Sequence, residues 1–551
     1  MSYLLAQSAA LLALLLAFVS PSPARDTYPK NPSIDALNYA FRIELSDSTD
    51  AIDGELTMDL RFVASGVRAV RLDLINADAA LDGKGMRVSG VTLNGNAVPF
   101  THEHDALLVP LAVAPDVQQR ARLVVRYAGT PASGLAIGRN RHGDRTFFSD
   151  NWPNRARHWL PTIDHPYDKA TSEFIVTAPN HYQVVSNGLR AEVTDLPGNR
   201  RRTHWRNSVP IAPWLYVLGV ARFAVQQVDT FEGRAIETWV YPQDRDAGFA
   251  DFATPTKSVL AFYSDFVGPF AYERLANIQS TSVSGGMESA SAILYHESSV
   301  TGTGSVRWRN VVIHEIAHQW FGNAVTEYDW NDVWLSEGFA TYFTLLYIEH
   351  AYGRDEFVRG LESSRRTVMA FAATHPDYTI IHRNLERMED VTSSHTYQKG
   401  SWTLHMLRGV VGTEAFQRGI RTYYQRHFNA NATTADFRRA MEEASGRDLG
   451  WFFAQWLERP GTLKIAGGWT YDARAKQLRI TLDQVQTDGS AFMIPIEIAV
   501  HSRGQATPTM HRVQVNSRSN VFTIDAPSEP TDVRLDPNLW VLMEASFSRT
   551  R

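Results

Sequence analysis

The sequence predicts a multidomain α+β protein, with a β-domain first, a mostly helical domain in the middle and a β-sandwich at the end. Three observations carry this. The chain has 551 residues, too many for one ordinary core at about 100 to 200 residues per domain. Apolar residues alternate with polar ones in the first part, as in Tyr39, Phe41, Ile43, Leu45 and Leu56, Met58, Leu60, Phe62, which is the period of half-buried strands. From about residue 230 to 460 the spacing becomes helical, and past Arg459-Pro460-Gly461 the alternation returns in Leu478, Ile480, Leu482 and in Ile494, Ile496, Ile498, Val500. The expected division is a leader over 1–24, a β-domain over 25–228, a middle domain over 229–460 and a terminal β-sandwich over 461–551.

The leader is read from Leu4 to Val19, an uncharged apolar run followed by Pro21-Ser22-Pro23-Ala24. That is the pattern of a secretory signal peptide, with cleavage expected near Ala24. The run is short for a membrane span and no later stretch approaches one, so export to the periplasm or medium is expected, without stable membrane insertion. There is no cysteine, which excludes disulfides, a thiol nucleophile and thiolate metal ligands. A hydrophobic share of 44%, with 21% charged residues and a net charge of −5, is globular and gives no field for nucleic acid. The main basic cluster, Arg200, Arg201, Arg202, His204 and Arg206, follows the turn sequence Leu196-Pro197-Gly198-Asn199 and reads as a solvated hairpin. In the middle domain, Thr433 stands as an N-cap before the helical run that ends at Gly446.

The chemistry gathers at His314-Glu315-Ile316-Ala317-His318, an H-E-x-x-H pattern within the apolar stretch Val311 to Phe321 that Gly322 closes. Residues four apart share a helix face, so both imidazoles can address one ion. Glu337 follows His318 after eighteen residues, which hold a loop and the start of a second apolar helix after Asn331, so a returning helix can bring its carboxylate to the same ion. Two neutral imidazoles and a carboxylate suit one Zn²⁺ ion and leave it a residual positive charge and an open position for water. Water bound there is acidified to a pKa near ~7, and Glu315, unable to point with its neighbours, suits the role of general base. Tyr295-His296-Glu297 begins the same pattern, but Val300 stands where a second histidine is needed.

The segments HEIAHQWFGNAVT, from His314, and WNDVWLSEGFATY, from Trp330, resemble the zinc aminopeptidases that include aminopeptidase N and leukotriene hydrolase. These are gluzincin metallopeptidases with a thermolysin-like, mostly helical catalytic domain. The resemblance covers essentially all of the chain past the leader. Ser284-Gly285-Gly286-Met287-Glu288-Ser289 is similar to the family's exopeptidase motif, Gly-x-Met-Glu-Asn. It implies that Gly285, Gly286 and Met287 pair with the substrate backbone while Glu288 binds the substrate's terminal ammonium group. Tyr397-Gln398-Lys399-Gly400 resembles the family's Tyr-x-Lys-Gly segment, which implies that Tyr397 donates a hydrogen bond to the oxyanion formed when water attacks. The implied activity is hydrolysis of the first peptide bond of peptides with a free N-terminus.

Two departures stand out. Ser289 replaces the motif's asparagine, and Trp152, in Phe148-Ser149-Asp150-Asn151-Trp152-Pro153, stands where the family has a second Glu or Gln for the amine. Many relatives also continue into a large helical domain that covers the active site, whereas this sequence ends soon after Trp540-Val541-Leu542, so a more open cleft, or one covered by a partner subunit, is expected. Three other functions stay open on the residues alone: a zinc endopeptidase, an epoxide hydrolase using the same ion, and a non-catalytic peptide-binding module. Neither the preferred first residue nor the oligomeric state is written in the sequence.

Overall fold

The computed structural model describes residues 26–550 except 383, 384 and 386; the expected leader lies outside the described residues. Alternating apolar residues build an eight-stranded sheet first. Its order runs Leu189–Leu196, Arg200–Ile211, Ala170–Pro179, Ile34–Glu44, Ile52–Phe62, Arg120–Thr130, Gly85–Leu93 and Asn96–Ala97. Phe41 stands opposite Leu56 and also opposite Phe174, so one face of three neighbouring strands forms a buried apolar layer. A second, four-stranded sheet is ordered Gln183–Ser186, Leu218–Ala221, Arg145–Ser149 and Leu135–Arg139. The basic cluster is half of a hairpin, and its charges are matched strand to strand: Arg200 pairs with Glu44, Arg201 with Asp195, Arg202 with Glu192, and His204 and Arg206 with Glu173.

The middle unit opens with a five-stranded sheet ordered Ala224–Phe231, Arg234–Val240, Leu275–Ser280, Ala292–His296 and Gly286–Met287. The division expected between 228 and 229 falls inside the first of these strands. Ala224 to Phe231 pairs with Arg234 to Val240, so those backbone hydrogen bonds assign the whole strand to the middle unit. Helices Arg245–Phe266 and Val306–His318 pack against this sheet, Trp334–Tyr352 packs on Val306–His318, and Arg354–Thr374 packs on Trp334–Tyr352. Helix Thr434–Ser445 carries the expected cap: Thr433 and Asp436 form a capping box, and Gly446 closes the helix in the left-handed region at φ 66°. Beyond Gly461 the chain forms two sheets. One is ordered Ser519–Asp525, Gln477–Gln484, Leu463–Asp472 and Met543–Arg549; the other is Thr509–Val515, Ile494–His501 and Asp532–Leu535. Ile480, Leu482, Ile496 and Ile498 are buried between them.

Among the described residues no helix is long and apolar enough to cross a membrane.

Candidate metal centre

His314, Glu315 and His318 lie on helix Val306–His318, which starts five residues before the apolar stretch read from the sequence and ends three before its close. The last turns are set by tertiary packing. Gly322 has φ 102°, and a Cβ there would collide with Ser336 Oγ on the returning helix Trp334–Tyr352. That close passage brings Glu337, in the first turn of the returning helix, back to the histidines. His318 Nε2 lies 3.1 Å from His314 Nε2. Glu337 Oε2 lies 3.3 Å from His318 Nε2 and 3.5 Å from His314 Nε2.

These separations fit a zinc ion. Bonds of about 2.05 Å to a tetrahedral ion hold ligand atoms ~3.3 Å apart. The ring orientation fits as well. His318 Nδ1 donates to the carbonyl of Phe321 at 3.1 Å, with Ser336 Oγ also 3.1 Å away, which leaves the Nε2 lone pair of neutral imidazole aimed at the centre. Glu337 Oε2 is buried and has no hydrogen-bond donor, as a ligand atom reserved for a cation would be. The electrostatics agree: burial opposes charge on both groups, but His318 gains proton affinity from Glu288 and Glu337, while Glu337 is held ionised by His318 and His314. The cluster attracts positive charge. A second convergence of Asp26, His165 and Asp329 already holds Lys30 as its cation.

Glu315 takes no place in this triangle. It is buried, and its carboxylate lies against Gly286, where any Cβ would collide with it. Burial, and then the neighbouring Glu288, raise its proton affinity well above the ordinary carboxylate range. Gly286→Ala is therefore expected to displace Glu315 and cut turnover by about tenfold or more, with a lowered unfolding midpoint from the added volume. A variant with normal turnover would show that the base does not depend on this contact.

Glu288 follows strand Gly286–Met287, which pairs with Ala292–His296 on one side and stands at the sheet's edge. Its backbone carbonyl accepts from Gln319 Nε2 at 2.9 Å and from Asn323 Nδ2 at 2.6 Å, which fixes it just past the end of the histidine helix. One oxygen of Glu288, one of Glu315 and a nitrogen of His318 lie within 4.8 Å of one another. Glu288 Oε1 is buried without a donor, and burial lifts the group's pKa to about 7.

Tyr397 reaches the centre from the other side, in a π-helical turn, His395–Lys399. Such turns are rare and re-aim side chains. Its hydroxyl donates to Glu337 Oε1 at 2.6 Å, and its ring stacks on His314 with centroids 6.1 Å apart. Two glycines make the approach possible. Gly338, next to Glu337, and Gly400, three residues past Tyr397, meet so closely that a Cβ on either would sit 3.1 Å from the other's backbone.

Comparison with known proteins agrees with this layout. The model for the Peptidase M1 N-terminal domain matches residues 35–215, and that for the Peptidase family M1 domain matches residues 252–456. The chain belongs to the M1 peptidase family. It is similar to glutamyl aminopeptidase of Homo sapiens, 29% identical over 327 residues, 57% of this chain and 34% of that protein. Probable aminopeptidase 1 of Sulfurisphaera tokodaii is 24% identical over 459 residues, 80% of this chain and 57% of that protein. The chain thus matches about a third to a little over half of these relatives' length. In fold it is similar to Legionella pneumophila aminopeptidase A, solved in complex with aspartic acid, with a TM-score of 0.80 at 18% identity over 96% of this chain and 61% of that one.

In this M1 peptidase the structure brings every site residue named from the sequence, His314, Glu315, His318, Glu337, Tyr397, Glu288, the strand Gly286–Met287 and Gly285 just before it, into one region. Trp152 packs edge-on against Trp214 and Trp330 at 4.8 and 5.1 Å, while Asp150 is paired with Arg155 at 2.6 Å. Ser289 is buried, and its carbonyl accepts from the Ala292 amide. The sequence reading passed over Gln319 and Asn323, although both stand inside the quoted HEIAHQWFGNAVT segment. Polar residues there at the end of an apolar helix were the available signal. Ser336, beside the ligand Glu337, was missed in the same way.

Proposed function

We propose that this protein is a zinc aminopeptidase that hydrolyses the first peptide bond of peptides with a free N-terminus. One observation supports this above the alternatives: the buried carboxylate of Glu288, whose Oε1 has no donor, held within 4.8 Å of Glu315 and His318 at the end of an edge strand. An extended substrate adding to the Gly286–Met287 edge places its backbone beside the metal ligands. Its α-ammonium group, with an ordinary pKa near ~8, supplies the donors that Glu288 Oε1 lacks.

His314, His318 and Glu337 would hold the zinc ion, which when bound polarises the scissile carbonyl and acidifies water. Glu315, with its raised proton affinity, takes the proton of the attacking water and passes it to the departing amine. Tyr397 turns its hydroxyl from Glu337 Oε1 to the oxyanion as negative charge develops. An endopeptidase has no use for a buried acid one residue's length from the ligands, because an internal peptide presents no cation there. Export is part of the proposal and is supported by the apolar run Leu4 to Val19 and Ala24; fractionation of expressing cells tests it.

The test is a panel of amino-acid arylamides, free and N-acetylated. Release from the free amines with little from the acetylated forms is expected, and equal cleavage of both would overturn the aminopeptidase reading. In Glu288→Ala, KM should rise by at least tenfold and the discrimination against acetylated substrates should shrink, since the lost ion pair exists in ground and transition states alike.

A further inference from the structure

A cavity of about 520 Å³ opens at His314 and Glu315 and runs back along the histidine helix toward its first turn. Its direction is set by Glu288. That residue is tied to Gln319 and Asn323, past the last turn of the helix, while the cavity is lined by Arg307, Arg309, His314 and Glu315, on the preceding turns. A peptide with its ammonium group at Glu288 and its first carbonyl at the histidines therefore sends its leaving portion into this cavity.

The lining carries more cationic than anionic side chains. Arg307, Arg309 and Arg359 line it, against Glu356 and Glu315. Glu356 is taken by Arg359. Arg309 rests on the ring of Tyr352 at 3.8 Å and bonds the amide oxygen of Asn310 at 3.0 Å, and Arg307 lies over the ring of Trp308 at 4.9 Å. Aromatic faces hold both guanidinium groups without an ion pair to either among the described residues, although Glu356, bound by Arg359, also feels the charge of Arg309. We infer that Arg307 and Arg309 bind a carboxylate on the leaving side of the peptide.

The spacing selects where that carboxylate lies. Arg309 and Arg307 precede His314 by five and seven residues, so the helix separates them from it by ~7.5 and ~10.5 Å at about 1.5 Å per residue. An extended peptide covers ~3.3 Å per residue. The C-terminal carboxylate of a tripeptide comes level with Arg309 and that of a tetrapeptide with Arg307; an acidic side chain at the same depth in a longer peptide offers the same group. Short peptides with a free carboxyl end are the substrate class this favours.

This inference rests on the aminopeptidase reading, and the experiment separates the two. Cleavage of single amino-acid arylamides, which have no peptide on the leaving side, tests that reading alone. Trialanine and tetra-alanine are then compared as free acids and as C-terminal amides, with amidated Ala-Ala-Asp-Ala as a third arm. The free acids are expected to show about tenfold higher kcat/KM than the amides, the low end for a charge-assisted pair because Arg307 is exposed. The ratio should fall toward one at high salt and in the Arg307→Gln, Arg309→Gln double variant. A gain in the aspartate arm alone identifies an acidic side chain as the source of the carboxylate. Wild-type ratios near one in every arm, or a ratio the double variant leaves intact, would overturn the proposal, and the wild-type comparison needs no variant to fold.

Discussion

Glu315→Gln is expected to retain zinc and fold while losing turnover by about 10²- to 10⁴-fold, the range for removal of a positioned acid–base group. The amide has nearly the shape of the carboxylate, so the contact with Gly286 survives, and Glu315 contributes no atom to the triangle of His314, His318 and Glu337. What disappears is the basicity that burial and Glu288 confer on the carboxylate. Zinc content and the unfolding midpoint, measured beside kcat, isolate this effect. Normal turnover in a zinc-loaded variant would end the general-base assignment.

Tyr397→Phe is expected to lower kcat by about a hundred- to a thousandfold with little change in KM, since an oxyanion donor strengthens its bond only as charge develops. The same hydroxyl donates to Glu337 Oε1 at 2.6 Å, so its loss also loosens a ligand carboxylate. Partners of this kind contribute to metal affinity. Assays at saturating zinc separate the two effects: a deficit cured by added zinc would assign Tyr397 to metal retention, and a deficit that persists assigns it to the chemical step. A rise in KM alone would contradict both.

Much of this centre was legible in the sequence because its signals are local. The four-residue spacing of His314 and His318 needs only a helix, and Glu337 needs only a turn and a returning helix. The alternation around Phe41 and Leu56, and again around Ile480 and Ile496, likewise declares strands, because burial of one sheet face enforces it. What escaped depends on contacts between distant segments. Gly286 against Glu315, and Gly338 against Gly400, are close approaches whose purpose appears only when two elements meet. The π-helical turn that aims Tyr397 has no spacing signature of its own. Gln319 and Asn323 were in view but hold a backbone carbonyl, and no sequence pattern announces such a partner. The strand starting at Ala224 was divided at 228 because alternation does not reveal which neighbour a strand pairs with.

The arginine-lined cavity belongs to the same class. Arg307 and Arg309 precede the stretch read as helical from the sequence, and only the fixed position of Glu288 at the helix's other end gives the cavity its direction.

The most direct test of the central claim is a metal titration of the purified protein against a free amino-acid arylamide. The account predicts one zinc per chain, loss of activity when a chelator removes it, and recovery in proportion to zinc restored, with His314→Ala, His318→Ala and Glu337→Ala each binding less zinc than wild type. Full activity in a demonstrably metal-free sample, or unchanged zinc content in those three variants, would contradict it.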